Sequence, residues 1–184
     1  MKQQIFVSGI GGQGVLFLTR VIAQAAVAGG LPVLTAETHG MAQRGGTVLS
    51  TIKVGDFASP LIRSGQADVG LLLWDANLVV HEGLLKPGGG LLINTAGACK
   101  GLCIDAVGLA RELGNPVLAN LVLLGLAVRH DVLFCNLEAC RDAIRLLAPE
   151  KFLDQNLAAF ALGLKSLAEA PDRNWPGSPD CLRQ

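Results

Sequence analysis

Residues 1–106 contain several short apolar runs that resemble strands, and the first of them is followed by a segment with helical spacing. The strand-like runs are QIFVSG (4–9), PVLTAE (32–37), TVLSTIKVGD (47–56), ADVGLLLW (67–74), LLINTA (91–96) and GLCIDA (101–106). After the first run, apolar side chains recur at helical spacing, at Val15, Leu18, Ile22, Ala25 and Ala26. The nearly continuous apolar run at 67–74 is typical of a central strand covered on both faces.

Beyond residue 106 the pattern is helical. The helical segments are VGLARELG, PVLANLVLLGLAVRH, LEACRDAIRLL and EKFLDQNLAAFALGLKSLAEA. Asp75 is predicted to cap a further helix that runs to about Leu85, where KPGGG breaks it. The order of elements predicts an α/β fold: a three-layer α/β/α domain with a mostly parallel, mixed sheet and a helical C-terminal part. One antiparallel strand is expected around 47–54.

The domain organisation follows from the same pattern. Residues 1–170 are predicted to form a single α/β domain. The last 14 residues, 171–184, contain three prolines and no apolar periodicity, which predicts a disordered or docking tail.

Composition narrows the function classes. The chain has 184 residues, of which 51% are hydrophobic and 16% charged, and 15 basic residues balance 15 acidic ones. A neutral chain without a basic cluster is not expected to bind nucleic acid or a membrane surface. The longest apolar run, LVLLGLAV (121–128), is too short to span a bilayer, and the N-terminus does not resemble a signal peptide, so a cytoplasmic location is expected. The apolar excess has two interpretations, an apolar α/β core or a surface buried against a partner subunit.

The cysteines and two of the histidines are not expected to do chemistry. The five cysteines are scattered and lack the spacing of a zinc or iron–sulfur site, so they are predicted to be buried or incidental thiols. His81 and His130 lie in helical patterns, and we expect them to be solvent-facing or capping.

A glycine-rich turn follows the first predicted strand. GIGGQG at residues 9–14 matches G-x-G-x-x-G between a strand and a helix, the context in which this spacing binds nucleotides. Gly9 permits a tight turn, Gly11 lets the backbone approach a phosphate, and Gly14 allows close helix–strand packing. Free N–H groups and the positive end of the helix dipole favour an anion there. The candidate binding residues of the turn are Gly9, Gly11, Gly12, Gln13 and Gly14.

Glu37 makes the dinucleotide interpretation more specific. It ends the second predicted strand, 23 residues after Gly14, where an acid that binds ribose would stand. The alternative is a turn that is rich in glycine for packing alone. The residues do not specify which anion or nucleotide would bind.

The second unusual stretch is HGMAQRGG at residues 39–46, which fits neither a regular helix nor a strand. Taken with SGIGGQGVLFLTRVIAQAA and the β-rich run after it, it resembles the gamma subunit of 2-oxoacid:ferredoxin oxidoreductases. This variant of the loop is most similar to the small (beta) subunit of indolepyruvate ferredoxin oxidoreductase. The resemblance covers about residues 3–165.

The resemblance implies a role within a larger enzyme. The complete enzymes of this family decarboxylate a 2-oxoacid on thiamine diphosphate, pass electrons through iron–sulfur clusters to ferredoxin, and form an acyl-CoA. Thiamine diphosphate, Mg²⁺ and the clusters are expected only on larger partner subunits, since the chain has no motif for them. The chain alone is therefore expected not to oxidise a 2-oxoacid. The family's gamma domain is associated with holding coenzyme A.

The loop also has an interpretation from its residues. Arg44 is a forked cation suited to phosphate or carboxylate, and Gly45 and Gly46 let backbone amides face an anion or a partner approach closely. His39 and Gln43 could add hydrogen bonds. Arg44 could instead pair with an acid in a structural turn. Two other functions stay open: an NAD-binding enzyme that uses GIGGQG and Glu37, and a pure assembly subunit.

Overall fold

The computed structural model of the chain describes residues 1–39, 45–97 and 99–167, with only the backbone of His39. The predicted tail at 171–184 lies outside these residues, and the predicted domain of residues 1–170 is described to residue 167. The strands are β1 (Gln3–Ile10), β2 (Val33–His39), β3 (Thr47–Val54), β4 (Ala67–Leu72), β5 (Leu85–Asn94) and β6 (Leu102–Ile104). The α-helices are α1 (Val15–Ala28), α2 (Leu78–His81), α3 (Ala106–Glu112), α4 (Ala119–Arg129), α5 (Leu137–Leu147) and α6 (Leu153–Lys165).

Six strands form one mixed sheet in the order β2-β3-β1-β4-β5-β6. β1 pairs in parallel with β4, β4 with β5, and β5 with β6. β3 is antiparallel to both of its neighbours, β1 and β2. The antiparallel strand expected around 47–54 is therefore confirmed, and so are the α/β class and the edge position of the strand within 101–106.

The two faces of the sheet are covered unequally. Ile5, Val7 and Leu71 point to one face, where they share a large apolar core with α1 and α3 to α6. Phe6, Leu72 and Ile93 point to the other face, because side chains alternate along a strand. This second face is covered more thinly, by Ile62 and by apolar residues of the helical segment 75–84.

That helical segment differs from its prediction. Instead of one helix from 75 to 85, the chain makes a 3₁₀ turn at Asp75–Asn77, the short helix α2, and a second 3₁₀ turn at Glu82–Leu84. The N-cap position belongs to Trp74, so Asp75 does not cap the segment. KPGGG is not a break either, since these residues lie within β5, whose pairing with β4 shifts register between Ala67 and Val69. Glycine tolerates such an irregularity in a strand.

The most apolar run of the sequence is buried inside the chain's own core. Every residue from Ala119 to Val128 in α4 is buried, and α4 packs against α6, α3, α1 and β5. A helix that is apolar on all sides is expected in such a position. For this run, the core interpretation of the apolar excess is therefore correct.

The four cysteines among the described residues form two pairs, and Cys181 lies outside those residues. A disulfide joins Cys99, in the connection after β5, to Cys103 of β6, with Cα atoms 6.1 Å apart, so the expectation of incidental thiols is wrong for these two. Cys135 and Cys140 are buried free thiols, as expected, and their sulfur atoms lie 3.3 Å apart.

Helices α4 and α6 approach each other closely where two glycines meet the facing backbone. A Cβ atom added at Gly163 would overlap the carbonyl oxygen of Val122, and one added at Gly125 would lie 2.8 Å from the backbone nitrogen of Leu164. Backbone atoms cannot move aside as a flexible side chain can. The sequence requires glycine at both positions for this reason.

We predict that Gly163→Ala destabilises the fold. In an exposed helix this change stabilises by roughly 0.5–1 kcal/mol, because alanine is the better helix former. Here the added methyl group should instead reduce the free energy of unfolding by about 1–3 kcal/mol, the typical cost of overpacking. Urea denaturation would measure the difference. Gly83→Ala is the control, since nothing lies within 4 Å of a Cβ at that position. A neutral or stabilising effect of Gly163→Ala would contradict the close helix contact.

Candidate functional site

The glycine-rich turn connects the end of β1 to the start of α1. Gly12 and Gly14 have φ angles of +93° and +76°, a left-handed conformation that glycine adopts without strain. Gly9 is needed for packing, because a Cβ there would lie 2.9 Å from Cγ2 of Val15. The sequence-predicted strand–turn–helix context is therefore present, although this alone does not show what the turn binds.

Gln13 holds the turn in shape. Its side-chain carbonyl accepts a hydrogen bond from the backbone N–H of Ile10 at 2.8 Å, and its amide donates to the carbonyl of Leu73 at 3.2 Å. Both polar atoms of this side chain are thus used within the chain, and they tie the turn to the end of β4. From the sequence, Gln13 was expected only to contact a ligand, because a local motif gives no information on a partner such as Leu73, 60 residues away.

The N-terminus of α1 follows the glycine-rich turn directly. No side chain caps Gly14, and no acidic residue occupies the first turn of the helix. The carbonyl of Gly14 accepts hydrogen bonds from the backbone N–H of Leu18 at 3.0 Å and from the side chain of Asn120 at 3.1 Å. The first N–H groups of a helix have no partner within the helix and carry its positive dipole end, so this geometry can stabilise a negative charge.

The structure brings the two glycine motifs together. Ile10, the last residue of β1, pairs with Thr47, the first residue of β3. Just beyond this pair, the N–H of Gly11 donates to the carbonyl of Gly46 at 3.1 Å. The end of the HGMAQRGG loop therefore lies beside the glycine-rich turn. Gln43, Arg44 and the side chain of His39 lie outside the described residues.

Glu37 is placed away from the turn. β3 lies between β1 and β2, so Glu37 is two strands from β1, at about 4.8 Å per strand. Glu37 pairs with Ser50, which pairs with Val7, three residues before the end of β1. In the dinucleotide-binding arrangement the acidic strand is next to the first strand. The strand order does not provide that arrangement.

A buried polar cluster lies directly beneath the turn, on the thinly covered face. The side-chain amide of Asn77 donates to Ser8 Oγ at 2.9 Å and to the carbonyl of Gly9 at 3.0 Å, and Asn77 Oδ1 accepts from Thr47 Oγ1 at 3.4 Å. Ser8 Oγ is also 2.9 Å from Nδ1 of His81. Asn77 thereby connects the end of β1 to the start of β3, where the two glycine motifs meet.

This cluster was not predicted from the sequence. His81 is 8% exposed, so the expectation that it faces solvent is wrong: the short 3₁₀ and α turns direct it inward. Burial lowers the pKa of His81 below its ordinary value. His130, in contrast, is exposed at the end of α4, where it occupies the C-cap as expected.

Two absences hold for the residues that the structure describes. Among them, no group of three or more His, Cys, Asp or Glu side chains is arranged to hold a metal ion. None of their helices combines the length and apolar character needed to cross a bilayer.

Comparison with known proteins places the chain in a family. Residues 4–166 match the family model described as pyruvate ferredoxin/flavodoxin oxidoreductase. The chain is 33% identical to the indolepyruvate oxidoreductase subunit IorB of Archaeoglobus fulgidus in an alignment 189 positions long, gaps included, that covers 89% of this chain and 94% of that protein.

Solved structures agree with the sequence matches. The gamma subunit of a keto/oxoacid ferredoxin oxidoreductase from Geobacter sulfurreducens superposes with a TM-score of 0.72 and 27% identity, over 88% of this chain and 95% of that one. A 2-oxoglutarate:ferredoxin oxidoreductase from Magnetococcus marinus, solved with 2-oxoglutarate, coenzyme A and succinyl-CoA bound, shares the fold with a TM-score of 0.73 and 22% identity. There the match covers 92% of this chain but 32% of the longer one.

These matches define the class as subunits of 2-oxoacid:ferredoxin oxidoreductases. The chain belongs to the pyruvate ferredoxin/flavodoxin oxidoreductase family. Its length corresponds to that of the small subunits, since the match spans nearly all of the Archaeoglobus and Geobacter proteins. The resemblance noted from the two glycine motifs is therefore confirmed.

We predict that protonation of His81 weakens the fold. Its pKa in the folded chain is below 6.5, the ordinary value, so the unfolded chain binds the proton more tightly. Stability from this group is complete above about pH 6.5 and should fall as the pH drops below that value. His81→Gln should flatten this part of the curve in urea denaturation from pH 7.5 to 5.

The other shifted histidine provides a comparison. The pKa of His130 is also lowered, by partial desolvation of its ring and by the neighbouring Arg129, so His130→Gln should flatten a further part of the curve. An unchanged pH dependence below 6.5 in His81→Gln would show that His81 is not held neutral by the fold.

Proposed function

We propose that the chain is the gamma-type subunit of a cytoplasmic 2-oxoacid:ferredoxin oxidoreductase, in which it contributes to coenzyme A binding and to subunit assembly. In the assembled enzyme, thiamine diphosphate, Mg²⁺ and iron–sulfur clusters are held by larger partner subunits. They supply the decarboxylation and the electron transfer to ferredoxin. The chain itself contributes binding groups and no catalytic residue.

One observation supports the binding role more than any other: the hydrogen bond from Gly11 to Gly46. The N-terminus of α1 and the end of the HGMAQRGG loop consequently lie side by side, at the end of β1 and the start of β3. Coenzyme A carries several phosphates, and a helix N-terminus with no cap and no acidic side chain in its first turn suits such a group. The residues present therefore fit the phosphate portion of coenzyme A.

Arg44 is the natural partner of this helix end. It is separated from Gly46 by one residue, so it belongs to the loop that meets the turn. A guanidinium group forms two parallel hydrogen bonds with a phosphate or a carboxylate. We propose that Arg44 and the first backbone N–H groups of α1 bind the same anion, while His39 and Gln43 add hydrogen bonds to that anion.

The strand order argues against an NAD-dependent enzyme. In that alternative Glu37 would bind the ribose of a dinucleotide held at the turn, but β3 separates its strand from β1.

A second candidate role, assembly, is favoured by exposed aliphatic side chains on the thinly covered face of the sheet. Val79 is 84% exposed and Leu61 is 63% exposed, and their inward neighbours Leu78 and Ile62 pack on the same apolar cluster. We propose that this surface contacts a larger subunit.

Gly11→Ala tests the anion site without disturbing the fold. A Cβ at Gly11 would meet its nearest neighbour, the backbone nitrogen of Gly45, at an ordinary 3.7 Å. A phosphate approaching the backbone would meet the same methyl group. Calorimetric titration of the assembled enzyme with coenzyme A should then show an affinity loss of at least about tenfold, or roughly 1.4 kcal/mol.

Two further variants complete this experiment. Arg44→Ala should lower the affinity by about 10- to 100-fold, which corresponds to a charge-assisted bond of about 1.5–3 kcal/mol, and Arg44→Lys should recover only part of it. Gly9→Ala is the structural control, because its Cβ would overlap side chains inside the turn; it should lower the melting temperature. If Gly11→Ala and Arg44→Ala both bind coenzyme A like the unmodified enzyme, the turn serves packing alone.

Val79→Asp tests the assembly role. Val79 is almost fully exposed, so an aspartate there should leave the melting temperature of the free chain unchanged. A charge buried without a partner in a subunit interface should weaken association by at least tenfold, measured by pull-down of the larger subunit. Val27→Asp is the matched control, since Val27 is also exposed but lies in α1 on the opposite face. Equal association of both variants would place the interface elsewhere.

A further inference from the structure

The disulfide between Cys99 and Cys103 lies at the wall of a pocket. The pocket has a volume of about 460 Å³ and lies outside the carboxyl ends of β4 and β5, on the thinly covered face of the sheet. Its lining includes the apolar residues Leu78 and Ile93, the polar residues Thr95 and Lys100, and Cys99 itself. The disulfide is therefore next to an open cavity.

The two bonded cysteines differ in exposure. Cys99 is half-buried and lines the pocket, whereas Cys103 lies within β6 and is 2% exposed. Thiol–disulfide exchange begins when a thiolate attacks one sulfur of the bond, and its rate depends on access to that sulfur. A thiol that enters the pocket can consequently reach Cys99 but not Cys103.

The disulfide also holds a short edge strand in place. β6 is the last strand in the order of the sheet and pairs with β5 through three residues, Leu102–Ile104. The N–H of Thr95 donates to the carbonyl of Ile104 at 3.0 Å, which closes the connection between the two strands. Gly101 passes close to β5, since a Cβ there would overlap the carbonyl oxygen of Leu91. The bond from Cys99 to Cys103 fixes the connection in this position.

A disulfide is uncommon in the cytoplasmic location proposed for this chain. Thiol reductants keep cytosolic cysteines reduced, and the disulfides that form there are mostly transient, catalytic or redox-sensing. The second pair differs: the sulfur atoms of Cys135 and Cys140 lie 3.3 Å apart, buried and not bonded to each other. The location rests on the proposed function, whereas the exposure of Cys99 does not.

We propose that Cys99 and Cys103 are a redox-active pair that exchanges electrons with a dithiol reductant through this pocket. A thiolate of the reductant attacks Sγ of Cys99, the bond to Cys103 breaks, and Cys103 leaves as a thiolate that takes up a proton. The second thiol of the reductant then attacks the mixed disulfide and releases Cys99. The chain gains two electrons and two protons, and the reductant becomes a disulfide.

Reduction of the pair changes the pocket. It releases the connection that carries Cys99 and Lys100 from the edge strand, so this part of the pocket wall is no longer tied to the sheet. β6 then depends on its three pairs with β5 alone. The oxidation state of the two cysteines thereby controls both the shape of the pocket and the stability of the edge strand.

The first test uses the unmodified full-length chain. Peptide mapping of the chain, purified without reductant, should show Cys99 linked to Cys103. After native dithiothreitol treatment, iodoacetamide should label Cys99 at least tenfold faster than the buried thiols of Cys135 and Cys140, and oxidised glutathione should restore the link. An absent link would overturn the proposal, and so would a link that dithiothreitol reduces only in urea.

Single variants test which sulfur is attacked, in a Cys181→Ser background that removes the thiol outside the described residues. Cys103→Ser leaves Cys99 as a free thiol at the pocket, so oxidised glutathione should form a mixed disulfide with Cys99 and release glutathione. Cys99→Ser leaves the buried Cys103, which should react at least tenfold more slowly. Cys135→Ser is the matched control and should keep the link between Cys99 and Cys103. Equal reaction of the two variants would contradict entry through the pocket.

Hydrogen exchange tests the structural consequence. In the reduced chain, the amides of β6 (Leu102–Ile104) should exchange at least tenfold faster than in the oxidised chain, because local opening no longer works against a covalent bond. The amides of the central strand β4 should be unchanged. Equal exchange of β6 in both states would show that the disulfide does not hold the edge strand, and the proposed control of the pocket would be wrong.

Discussion

The antiparallel pairing of β1 with β3 is the constraint on which the candidate site depends. Its register places Ile10 opposite Thr47, so the chain leaves β1 and enters β3 at the same edge of the sheet. The glycine-rich turn and the HGMAQRGG loop are separated by more than twenty residues in sequence, yet they meet there through one backbone hydrogen bond. Asn77 reinforces the pairing from below by binding both Gly9 and Thr47.

The same pairing distinguishes this domain from a dinucleotide-binding fold with a similar first motif. A parallel second strand beside β1 would bring its terminal acid to the turn, but β3 occupies that position and moves Glu37 outward by one strand. The helix N-terminus after the turn still favours an anion, but Glu37 is not beside it to bind a ribose. The G-x-G-x-x-G spacing therefore predicts the conformation of the turn, whereas the ligand that binds there also depends on which strand lies beside β1.

Periodicity in the sequence predicted most elements correctly because burial in this fold follows regular geometry. The strands around Phe6 and Leu71, the antiparallel β3 and the buried helix α4 could all be inferred from apolar spacing. The errors lie at irregular or long-range features. His81 turns inward because two 3₁₀ turns interrupt its helix, and Gln13 is held by Leu73, 60 residues away.

The first strand is also tied to the segment between α4 and α5, far along the chain. The side chain of Gln3 donates to the carbonyl of Val132 at 2.8 Å and accepts from the N–H of Phe134 at 2.9 Å. During synthesis on the ribosome, these partners emerge about 130 residues after Gln3, or on the order of ten seconds later. Until then the start of β1 can pair with β3 and β4 but cannot complete its contacts. The nascent domain must therefore remain partly open while its helical half is still being translated, and this long-range closure makes its folding slower than that of a chain with local contacts alone.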